Sequence, residues 1–61
     1  MAPGQKREVI FEFIRFGASV KVTAVDVTTG TEVSTICPAN AMESDMKRLA
    51  AAKLERVLAR K

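Results

Sequence analysis

The run Val9-Ile10-Phe11-Glu12-Phe13-Ile14-Arg15-Phe16 carries large apolar side chains at both odd and even positions. A strand sends successive residues to opposite faces of its sheet. Val9, Phe11 and Phe13 therefore share one face, and Ile10, Ile14 and Phe16 share the other. The rest of the chain holds one helical pattern, and one helix covers one face. The second face calls for a partner, and a second copy of the chain is the simplest one.

Length sharpens this point. Sixty-one residues, 48% of them apolar, make a single domain. A domain of this size buries only about 60% of its unfolded surface and is marginal alone. Such scaffolds are reinforced by disulfides, metals or oligomerisation. Cys37 is the sole cysteine and there is no histidine, which excludes an internal disulfide and a Cys/His zinc site. Oligomerisation is the remedy that remains.

The first strand is expected to run to Phe16. Gly17-Ala18 suits a two-residue type II′ hairpin turn. That turn sets Phe16 opposite Ser19, Phe13 opposite Val22 and Phe11 opposite Ala24. Phe11, Phe13, Val20, Val22 and Ala24 then line one face. The second strand runs from about Ser19 to Val27. Its apolar parity changes near Ala24-Val25, which fits either a bulge or a central strand covered on both sides.

Gly30 in Val27-Thr28-Thr29-Gly30-Thr31 supplies the left-handed residue of a type I turn plus G1 bulge. With that turn, a third strand over Thr31–Cys37 puts Ile36 on the Val22 face. Val25 and Val33 join Ile10 and Ile14. A loop one residue longer reverses the two faces of the third strand.

Pro38 ends the strand pattern. A helix is expected to start near Asn40 or Ser44, with Asn40 and Glu43 resembling a capping box and Ser44 an alternative cap. Met42, Met46, Leu49, Ala50, Leu54, Val57 and Leu58 recur at spacings of three and four and form its apolar stripe. Lys53 falls inside that stripe, as a snorkelling stem or as the partner of an acid such as Glu12. The expected architecture is α+β: a three-stranded antiparallel meander and one C-terminal helix (βββα) over residues 7–61, completed by homodimerisation. Residues 1–6 are expected to form a disordered tail. The expected dimer interface is Ile10, Ile14, Phe16, Val25 and Val33, and Cys37-Pro38-Ala39-Asn40 would be the hinge if the helix were exchanged by domain swapping.

Chemistry is sparse. Cys37 has no histidine to activate it and reads as a small buried hydrophobe. Glu8 and Glu12 do not converge on a cleft, and Thr28-Thr29-Gly30-Thr31 lacks the spacing and lysine of a phosphate loop. No catalytic, cofactor-binding or metal-binding residue is expected, and the chain does not read as an enzyme. The net charge of +3 gathers in the last third of the chain. Lys47, Arg48, Arg56 and Arg60 could contact phosphates, so nucleic-acid binding is the alternative to a protein-interaction module. No apolar run approaches a membrane span, and the N-terminus lacks signal-peptide features, so a cytoplasmic setting is expected.

Arg7-Glu8-Val9-Ile10-Phe11-Glu12-Phe13, the hairpin Val25–Val33, Pro38-Ala39 and Leu49-Ala50…Lys53-Leu54 together resemble a family of short uncharacterised bacterial proteins. The resemblance covers nearly the whole chain after the tail. It implies a small protein with no assigned activity, and it brings no functional residues to transfer.

Overall fold

The computed structural model describes residues 8–60, so the expected tail lies outside the described residues. Three strands are followed by one helix: β1 (Val9–Phe16), β2 (Ser19–Asp26), β3 (Glu32–Pro38) and α1 (Glu43–Ala59). The sheet is antiparallel with order β1-β2-β3. This is the expected α+β, βββα arrangement.

The first hairpin follows its turn residues. Gly17 has φ +59°, and Ala18 keeps a negative φ, as a type II′ turn requires. Phe16 pairs with Ser19, Phe13 with Val22 and Phe11 with Ala24. The register runs unbroken to Val9 opposite Asp26, so the parity change in β2 reflects a central strand and not a bulge.

The second hairpin corrects the expected register. Gly30 is left-handed, at φ +76°, as expected. The loop, however, is one residue longer than a type I turn with a G1 bulge. Asp26 N–H donates to Thr31 O at 2.8 Å, and Gly30 N–H donates to Asp26 O at 2.8 Å. The cause is the Asp26 side chain, which is 1% exposed. Its Oδ2 accepts from the Thr29 N–H at 3.1 Å and from the Thr29 hydroxyl at 2.7 Å. The Thr29 oxygen in turn accepts from the Thr31 N–H at 3.2 Å. These contacts hold residues 27–30 as a closed four-residue loop.

The extra residue reverses β3. Ala24 now faces Val33, and Val20 faces Cys37. Val33 and Cys37 enter the core, while Ile36, opposite Lys21, moves to the other face. Val33 is therefore not available for the expected dimer interface. Val20, Val22, Ala24, Val33 and Cys37 pack against Met46, Ala50 and Leu54.

The start of α1 also differs from expectation. Met42 is its N-cap residue, without a side-chain cap hydrogen bond, so neither Asn40 nor Ser44 caps it. Glu43 and Asp45 in the first turn still complement the helix dipole. The helix lies over β2 and β3. Its axis is displaced away from β1, and this splits the expected stripe: Met46, Ala50 and Leu54 are buried, whereas Leu49 and Met42 stay exposed. Phe11 and Phe13 are only half-buried for the same reason.

Candidate interaction surface

The sheet face opposite α1 follows from the two registers. Its cross-strand rows are Ile10–Val25–Glu32, Glu12–Thr23–Ser34, Ile14–Lys21–Ile36 and Phe16–Ser19–Pro38. No described element covers it. Ile10, Ile14, Phe16 and Ile36 remain 55%, 48%, 52% and 57% exposed, and Val25 is half-buried. Between the apolar residues, the Thr23 and Ser34 hydroxyls bond each other at 3.0 Å. Glu12 and Lys21 add one charge of each sign to the middle rows.

Four of the five expected interface residues, Ile10, Ile14, Phe16 and Val25, thus share this face. Ile36 takes the place expected for Val33. The signal for Ile36 was the length of the Thr-rich loop, which the sequence leaves open between two values.

The basic helix residues do not gather. Lys47 lies 3.9 Å from Glu43, and its ammonium sits 5.9 Å from the centroid of the Phe11 ring. Arg48 pairs with Asp45 at 3.0 Å. Lys47 and Arg56 are nine residues apart, which places them on opposite sides of a helix. The four candidate phosphate contacts therefore form no single patch.

Lys53 does not meet Glu12. Its Nζ donates to the Ser34 backbone carbonyl at 2.6 Å. Glu12, the acid considered for it, projects from the opposite face of the sheet. Cys37 is a free thiol, 2% exposed beneath the helix. Among the described residues, no group of histidine, cysteine or acidic side chains could hold a metal ion. No described helix is long and apolar enough to cross a membrane.

The fold is a small βββα domain with one apolar sheet face that no described element covers. Residues 6–61 match the domain of unknown function DUF6898, and the chain belongs to that family. No curated protein and no solved structure matches it.

Proposed function

We propose that this chain is a self-associating interaction module of the cytoplasm, in which two copies bury the uncovered sheet face against each other. The observation that carries the reading is the exposure of four large apolar side chains, Ile10, Ile14, Phe16 and Ile36, on one face of the sheet. Soluble monomers rarely keep such a patch. The face is also self-complementary in charge, because a two-fold arrangement can set Glu12 of one copy near Lys21 of the other.

Magnitudes fix the strength of the association. Fully burying one such side chain contributes about 1.5–3 kcal/mol, and roughly half of each is already covered. Eight side chains across two copies then contribute on the order of 6–12 kcal/mol. Association costs roughly 4–15 kcal/mol in lost freedom. The two nearly balance, so the homodimer forms in a concentration-dependent way.

Direct pairing is favoured over domain swapping by the linker. Ala39 N–H donates to Ala18 O at 2.8 Å, and Ala41 N–H to Pro38 O at 3.0 Å. Opening that linker as a hinge would break these bonds. A non-catalytic role agrees with the burial of the one thiol under α1. Two substitutions test the reading by sedimentation. Ile36→Glu should weaken self-association at least tenfold, about 1.4 kcal/mol or more. Leu49→Glu changes a side chain that is equally exposed at 57%, but on the helix, and should leave association unchanged. Equal effects of the two would overturn the proposal.

A further inference from the structure

The two edges of the sheet are treated differently. Phe16 and Ser19 close a two-residue hairpin, so the even residues of β1 bond toward β2. The bond from Val27 N–H to Glu8 O at 3.0 Å continues that alternation. The backbone groups of Val9, Phe11, Phe13 and Arg15 consequently point to the outer edge. On β3, Asp26 N–H bonds Thr31 O, so the odd residues point inward and Glu32, Ser34, Ile36 and Pro38 point outward. This outer edge is blocked: Lys53 occupies the Ser34 carbonyl, and Pro38 has no N–H.

The β1 edge has no such protection among the described residues. It is eight residues long, without proline, glycine or a bulge, and α1 lies over β2 and β3 instead. Beside it runs a hollow of about 340 Å³ lined by Phe13, Arg15, Val20, Ala41, Glu43 and Met46. An open edge of this kind is a template for another strand.

We propose that β1 pairs antiparallel with β1 of a second copy, joining two three-stranded sheets into one six-stranded sheet with both helices on the same face. A two-fold axis normal to the sheet pairs odd residues with odd, which matches the outward-pointing groups. Two registers give nearly full overlap. One sets Glu12 directly opposite Glu12 of the partner subunit, and like charges so placed repel. The other puts Phe13 on the axis against Phe13 of the partner subunit and Phe11 opposite Arg15 of the partner subunit. That register joins an aromatic ring to a guanidinium and is the one assigned. This edge is distinct from the open face of the preceding section, so one surface can operate without the other.

Amide hydrogen exchange of the whole protein reads the edge directly. At concentrations where the chain self-associates, the amides of Phe11, Phe13 and Arg15 should exchange as slowly as those of β2, and dilution should release them. In a mixture of isotope-labelled and unlabelled chains, the Hα of Glu12 should show a contact to the Hα of Ile14 of the partner subunit. Arg15→Pro removes one outward N–H that the β1–β2 ladder does not use. It should keep the circular dichroism of the native fold and weaken edge pairing at least tenfold. Fast exchange at the three amides in an associated sample would overturn the proposal and leave association through the open face standing. Absence of the Glu12–Ile14 contact from a protected edge would overturn the assigned register.

Discussion

At the scale of the residue, Asp26 decides more than any other position. Its carboxylate fixes the four-residue loop through Thr29, and the loop fixes which side of β3 meets the helix. The Asp26→Ala variant leaves the Thr29 N–H and hydroxyl without that acceptor in a part-buried site. A cost of about 1–3 kcal/mol in unfolding free energy is expected from urea denaturation. An unchanged midpoint would show that the loop holds its length without the carboxylate. Gly17 is a cleaner backbone case. Space around a Cβ there is open, so Gly17→Ala isolates the positive-φ penalty of about 1–3 kcal/mol. A thermal melt unchanged within error would contradict the turn assigned to it.

At the scale of the element, the first hairpin was legible from sequence because two signals agree. Gly17-Ala18 specifies the turn, and the apolar positions of both strands align on that register. The third strand was not legible to the same degree. Val33 and Ile36 have opposite parity, so hydrophobicity supports either face, and only the loop length chooses. That length depends on a side-chain contact between Asp26 and Thr29, which a pattern of apolar residues does not encode. The helix was legible in extent but not in placement. Its stripe is wide enough to pack in more than one rotation, and the position over β2 and β3 leaves Leu49 outside. Denaturation of two variants separates these rotations. Leu54→Ala should cost about 2–5 kcal/mol, because Leu54 is 1% exposed in the core. Leu49→Ala should stay within about 0.5 kcal/mol. Similar losses at both positions would mean that the helix sits centred on the whole stripe.

At the scale of the molecule, the account follows from one helix on a three-stranded sheet. α1 covers β2 and β3 on one side, and nothing described covers the other side. The expectation of an unpaired apolar face survives the register correction because β3 exchanges Val33 for Ile36, one large apolar residue for another. A substitution that reduces apolarity there has a stability signature as well as an association signature. Ile14→Lys should lower association at least tenfold. It should change the unfolding free energy of the dilute chain by about 0.5 kcal/mol or less, since Ile14 is half exposed before association. A large loss of stability in the dilute chain would place Ile14 in an intramolecular core.

The central claim is that this face meets a second copy of itself. Light scattering coupled to size exclusion, run as a dilution series on the native sequence, tests it most directly. The mass should fall with dilution toward the 6.6 kDa of one chain, from at least twice that value at high concentration. A mass of 6.6 kDa across the whole series, with the fold intact, would contradict it.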